Sequence, residues 1–283
     1  KLFEREDLGF RALKDSRRRV HSLFVHPGPF EPVPADELSS LRDEREAVDA
    51  ANISLAISHE RLCGYPSSGG YDAKVIAERL HDAVPDGRVV IFIREQRSMI
   101  ESFYTQYVTD GGHLSFERFT NPLQPEIRRS SQFDFGYYEY DRLIAYYRQL
   151  FGTDNVLVIP FEALKADGGA TARSITSFAG LAAEKVPADI FDVSINPTRA
   201  LAKQMIMRRL NGTIGRNQLS PGAPIKIENF AKGMRNVSAP FVPLAFLERP
   251  LRNRLRSKVQ DAVAHKYAAS NARLAEMTGL DLG

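Results

Sequence analysis

Apolar positions along the chain fall either in short continuous runs or in stripes repeating every three or four residues, the marks of buried strands and amphipathic helices. The clearest run is Val89-Val90-Ile91-Phe92-Ile93. It lacks the alternation of a half-exposed strand and predicts a parallel strand covered on both faces. After it, Ser98 and Glu101 have capping-box spacing. Ile100, Phe103, Tyr104 and Tyr107 share one apolar stripe of the helix so started, able to pack on the sheet. Asn52–Ser58 and Asn155–Pro160 predict two further strands, and Asp36–Ala51, Tyr71–Ala83 and Tyr137–Phe151 predict helices. The last of these has Leu143, Ile144, Tyr147, Leu150 and Phe151 on its buried side and Gly152 as its stop. Pro250–Tyr267 predicts an amphipathic helix with Leu251, Leu255, Val259 and Val263 inward and a solvated basic face.

The remaining segments are less regular. Lys1–Lys14 reads as the tail of a helix and Val20–Val25 as a short strand. The prolines of His26–Pro34 exclude regular structure there, because proline fixes φ and removes a donor. Gly111-Gly112 breaks the helix before it, Leu114–Phe119 begins a short new segment, and Asn121–Gln132 is a polar loop. Asn211–Pro240 reads as a long loop, a length often used for a functional lid.

Strands alternating with helices predict the α/β class, with a central parallel sheet flanked by helices and a helical C-terminal part. The strand at 52–58, the helix at 71–83 and the strand at 89–93 form a right-handed βαβ unit that brings both strand ends to one edge. With 283 residues and 43% hydrophobic content, the chain suits one large domain over 1–283. A net charge of +3 with both signs interspersed argues against nucleic acid as a partner. The single cysteine, Cys63, precludes an internal disulfide and suits a reducing, cytoplasmic setting. No apolar run reaches the length of a membrane span. The chain starts at Lys1 without a signal-like segment, and further residues are expected upstream.

Chemistry gathers at the predicted strand ends, where ligands of open parallel sheets collect. Arg94 ends one strand and is suited to an anion; its structural alternative is a pairing with a nearby carboxylate. Ser102 lies off the apolar stripe near the helix start, where free amides and the dipole favour negative charge; alternatively it only decorates the helix. His59 and Glu60 follow another strand and are candidate bases, adjacent and so pointing apart; a capping or packing role is the alternative for His59. Arg17–Arg19 read as a solvated basic patch, as do Arg128 and Arg129. No metal-ligand spacing and no internal repeat is evident.

An arginine ending a strand, a serine eight positions on and the Tyr104-x-x-Tyr107 run resemble the 3′-phosphate motif of sulfotransferases that use 3′-phosphoadenosine 5′-phosphosulfate (PAPS). The segment Phe151–Asp167 is similar to the helix-strand segment of that family that ends Tyr-Glu-Asp-Leu, with Phe161 at the tyrosine and Ala163 at the acid. Thr171–Leu181, Ser194–Thr198 with the helix Arg199–Leu210, and Tyr267–Leu282 resemble bacterial members, and Phe230–Asn236 faintly resembles an Arg-Lys-Gly loop in which Ala231 replaces the arginine. The resemblance implies a three-layer fold of the P-loop NTPase kind, PAPS as co-substrate without a metal, and a carbohydrate, lipid or small-molecule acceptor. It further implies that Arg94 and Ser102 grip the 3′-phosphate, that Phe161 lies near the adenine, and that His59 or Glu60 is the base. The glycine-rich loop for the 5′-phosphosulfate is absent from the sequence and is expected before residue 1. A nucleotide kinase, or a non-catalytic binding relative lacking the loop, are the competing readings.

Overall fold

The computed structural model describes residues 2–28, 30–121, 133–191, 200–216, 219–235, 237 and 244–281. In chain order, β1 (Phe10–Ala12) leads through a three-residue turn to α1 (Ser16–Val20), which runs on as a π-helical turn over His21–Val25. Then come α2 (Ala35–Asp49), β2 (Ser54–Ala56), α3 (Ala73–Ala83), β3 (Val89–Ile93), α4 (Gln96–Thr109), α5 (Phe116–Thr120) and α6 (Tyr140–Phe151). After them lie β4 (Val156–Pro160), α7 (Phe161–Ala166), α8 (Gly168–Phe178), α9 (Leu201–Thr213), β5 (Ile214–Arg216), β6 (Ile225–Glu228), α10 (Phe230–Met234), α11 (Glu248–Val263) and α12 (Ala268–Thr278). The fold is mixed α/β, mostly helical, with small parallel sheets. Two compact units divide it, one made of 1–94, 139–194 and 270–283, the other of 95–138 and 195–269.

The first unit is built on β3 and β4, paired in parallel from Val89↔Val156 to Ile93↔Pro160. Alternate residues face opposite ways along a strand. Ile91, Ile93, Val156 and Val158 therefore meet Ile76, Leu80, Ile144 and Phe151 of α3 and α6, while Ile159 joins Ala172 and Ile175 of α8. Helices thus cover both faces, with one gap: Phe92 is 42% exposed, so the expected continuous burial of this run fails at that position. The C-terminal helix is tied in through a buried carboxylate. Asp141 on α6 accepts from Ser270 Oγ and, at 2.6 Å, from Arg273 Nε on α12. Asp141→Ala is expected to lower stability by about 2 kcal/mol in urea unfolding, the cost of stranding these donors; an unchanged midpoint would mean that apolar contacts alone hold α12.

Several sequence expectations are corrected here. The parallel partners are β1–β2 and β3–β4, in separate pairs, so the 52–58 strand does not join the 89–93 strand in one sheet among the described residues. The reason lies in β2, whose strand conformation lasts only over Ser54–Ala56 before the chain turns. Lys1–Lys14 is not the tail of a helix: Gly9, at φ 83°, ends a 3₁₀ turn, and Phe10–Ala12 becomes a strand beside Ser54–Ala56. Val20–Val25 is helical rather than extended, because Val20, Leu23 and Phe24 are all fully buried and have the i, i+3, i+4 spacing of a helix stripe. Arg19 is no part of a solvated patch; it is buried between Glu44 and Glu37 of α2. The supposed loop 211–240 holds β5, β6 and α10, and the alternation Ile225-Lys226-Ile227-Glu228 was its strand signal. The segments 122–132 and 194–198 lie outside the described residues.

In the second unit the stripe Ile100, Phe103, Tyr104 and Tyr107 is buried as expected. It forms an aromatic core with Phe116, Phe119 and Phe133. The start of α4 differs from expectation. Glu95, not Ser98 with Glu101, is the cap: its carboxylate accepts from the amides of Ser98 at 2.7 Å and Arg97 at 3.2 Å. Burial works against its charge, yet these amides and the Arg97 guanidinium prevail and hold the carboxyl below its usual range. Glu101 instead faces Arg252 and Arg256 of α11, each at 3.3 Å.

Candidate active site

The carboxyl ends of β3 and β4 lie side by side, and the residues that follow them, Arg94 and Phe161, come together. The Arg94 guanidinium carbon stands 5.7 Å from the centre of the Phe161 ring. Lys165, one turn along α7, brings Nζ to 4.9 Å from the same ring. Arg94 Nε is buried without a hydrogen-bond partner, and among the described residues Arg94 has no carboxylate within ion-pair distance. The alternative of a structural arginine paired with an acid is therefore not what this structure contains. A buried N–H left without an acceptor is costly, and an anion at this half-buried guanidinium would complete it. Lys165 was not singled out in the sequence, although its position four residues after Phe161 at a strand end was the available signal.

Ser102 belongs to the second unit. It is exposed at the seventh position of α4, and its carbonyl accepts from Thr105 Oγ1 at 2.8 Å. Only the first four amides of a helix are free, so Ser102 lies beyond them, and two of those amides are spent on Glu95. The Arg97 and Ser98 amides at the helix start thus face the protein's own carboxylate.

His59 and Glu60 sit where β2 gives way to a 3₁₀ turn over Glu60–Cys63. Gly64 closes this turn at φ 89°, with Ala73 so near that a Cβ would come within 2.8 Å of Ala73 Cβ. The side chain of His59 is 7% exposed and that of Glu60 83%. The Arg61 amide donates to His59 Nδ1 at 3.1 Å. That bond fixes the neutral tautomer: with Nδ1 accepting, the ring proton is on Nε2. A neutral imidazole so held offers Nε2–H as a donor and has its one lone pair engaged. The Glu60 carboxylate, 3.5 Å from Nδ1, stays open to solvent. Arg61 bridges to Asp72 at 2.8 Å and stacks 4.3 Å from the Tyr65 ring, which braces the turn. Burial pushes the Cys63 thiol up, the opposite of an activated nucleophile. His59 also packs edge-on against His21, ring centres 5.2 Å apart, and His21 is hydrogen-bonded to His26. Sequence reading missed this histidine cluster.

No group of three or more histidine, cysteine or acidic residues fit to hold a metal occurs among the described residues, and no described helix is long and apolar enough to cross a membrane. Residues 75–185 match the sulfotransferase family, a family of enzymes. The span contains Arg94, Ser102, Phe161 and Lys165, whereas His59 and Glu60 precede it. Among solved structures the chain is similar to the crystal structure of a sulfotransferase from Alicyclobacillus acidocaldarius, with 20% identity, a TM-score of 0.46, and coverage of 75% of this chain and 85% of that one. No curated protein matches the chain.

Proposed function

Because the chain carries a sulfotransferase-family domain over residues 75–185, we propose that it moves a sulfuryl group from PAPS to a hydroxyl or amine of a carbohydrate, lipid or other small acceptor. The observation that carries this reading is Arg94, a half-buried cation whose buried Nε is unsatisfied, at the carboxyl end of β3, beside an aromatic ring and a second cation. That set suits a phosphorylated nucleoside: the guanidinium fork for a phosphate, Lys165 for additional positive charge, Phe161 for apolar contact with the base. Ser102 is proposed as a further cofactor-binding residue, to be tested separately. When bound, PAPS supplies the activated sulfuryl group.

Glu60 is the proposed general base, with His59 offering its Nε2–H to the acceptor. Glu60 takes the proton as the acceptor oxygen or nitrogen bonds to sulfur and the bond from sulfur to the phosphate oxygen breaks, which leaves 3′-phosphoadenosine 5′-phosphate. Charge spreads over the sulfuryl oxygens in such a transfer, so positioning and nearby cations supply most of the acceleration.

The test is acceptor-dependent formation of the bisphosphate from labelled PAPS, with a panel of sugars and alcohols. Glu60→Gln is expected to lower kcat by about 100-fold or more with little change in KM, in the range of general-base contributions. His59→Asn, which retains an acceptor for the Arg61 amide, is expected to lose less than about tenfold. The reverse ranking moves the base to His59. Transfer that no acceptor stimulates, together with no binding of the bisphosphate, refutes the reading and raises the non-catalytic alternative; a magnesium requirement for nucleotide turnover raises the kinase.

A further inference from the structure

The modest net charge conceals an uneven distribution. Residues 195–269 hold 14 arginines and lysines against 3 acidic residues, whereas the rest of the chain holds 24 against 32. Five of those cations, Arg249, Arg252, Arg254, Arg256 and Lys258, fall within ten residues of α11 that include no acid. A basic run on an amphipathic helix is either neutralised by its own neighbours or left for an external anion.

For α11 the neutralisation is incomplete. The helix is firmly mounted through the buried Leu255, Val259 and Val263, and through Glu248 in its first turn, whose carboxylate accepts from the Leu201 and Ala202 amides of α9, both at 2.8 Å. Glu101 of α4 pairs with Arg252 and Arg256, and Glu117 of α5 pairs with Lys258. These are the inward-turned cations and one flank. Arg249 and Arg254 are exposed and have no carboxylate within ion-pair distance among the described residues. Arg256 remains 62% exposed despite its partner. Between residues 249 and 257 the outward side of α11 therefore presents three guanidinium groups and no carboxylate.

An uncovered apolar ring stands at the head of this side. Phe246, in the turn that enters α11, is 74% exposed and lies one turn before Pro250, which is exposed as well. A bilayer with anionic lipids matches both features: the ring enters the boundary between headgroups and acyl chains, and the guanidinium groups meet lipid phosphates around it. An anionic glycan, hydrophilic throughout, matches the cations far better than the ring. We propose that the outward side of α11, with Phe246 at its head, docks this chain on an anionic lipid surface. The attachment is peripheral and reversible, because three cations and one ring give only a modest partition into the interface.

Cosedimentation of the full chain with lipid vesicles tests this. Phosphatidylcholine vesicles containing about 30% phosphatidylglycerol are expected to bind at least about tenfold more tightly than phosphatidylcholine alone at low salt, and about 0.5 M sodium chloride should remove most of the difference. The double variant Arg249→Gln, Arg254→Gln should weaken binding by about 25-fold, at about fivefold per cation. Phe246→Ser should weaken it by about tenfold. Arg42→Gln with Lys74→Gln, two exposed cations of the first unit, changes net charge equally and should leave binding within about twofold. Unchanged melting temperatures are expected for all three, since every site is exposed, and the lipid and salt comparison on the unaltered chain decides even where a variant does not fold. Equal binding to both vesicle types, or an equal loss in the Arg42 and Lys74 variant, would overturn the proposal. So would a Phe246→Ser protein that binds as tightly as the parent while the arginine pair is required, a result that assigns this side of α11 to a soluble polyanion.

Discussion

Arg94→Ala is expected to weaken binding of 3′-phosphoadenosine 5′-phosphate by about 100-fold, roughly 2.7 kcal/mol, the scale of charge-assisted bonds to a phosphate. Two features set that size. The guanidinium sits at a strand end with Nε buried and unpartnered, so the donor is already desolvated before any ligand arrives and little reorganisation is needed. No described carboxylate competes for it. Arg94→Lys keeps the charge but not the fork and should recover only part of the loss. The same substitutions bear on a structural role. An arginine that held the fold together would destabilise the protein on removal, whereas removal of a half-buried cation with an unsatisfied Nε should leave the melting temperature unchanged or raise it. Calorimetry and thermal unfolding of the same variant therefore decide between the two roles. Affinity within about twofold of the parent, or a drop in melting temperature that parallels the loss of binding, would remove Arg94 from the nucleotide site.

Much of this arrangement was legible in the chain, for identifiable reasons. The run at 89–93 has only one reading because it is apolar, β-branched and short, and the residue that follows it must lie at the strand end. Phe161 was placed by the resemblance of Phe151–Asp167 to the family's helix-strand segment. The stripes of α4 and α6 were legible because three- and four-residue spacing survives whichever neighbour covers it. What could not be read was pairing. Nothing within Ser54–Ala56 says that its partner is Phe10–Ala12, since register depends on residues far apart in sequence. The cap of α4 was misread because Glu95 and Ser98 both have capping chemistry, and the choice rests on backbone geometry at Glu95, φ −50° and ψ 123°. The histidine pair was hidden for a geometric reason: His21 and His26 have no common face in a helix of 3.6 residues per turn, and only the π turn aligns them.

Arg19→Ala is expected to destabilise the protein by about 3 kcal/mol, the low end of the range for breaking a buried ion pair. Its side chain is only 5% exposed and engages Glu44, with Glu37 3.6 Å from Nε. The low end applies because neither acid would be wholly stranded: Glu37 keeps Arg18 at 2.7 Å and Glu44 keeps the Lys14 amide at 3.0 Å. Part of the loss is packing, since the buried stem of Arg19 leaves a space when cut to alanine. Arg19→Met separates the two contributions. It retains apolar volume and also removes Nε and Nη2, both buried without hydrogen bonds, so it should cost less than half as much as alanine. Urea unfolding of both variants measures the difference, and equal losses would assign the whole effect to charge.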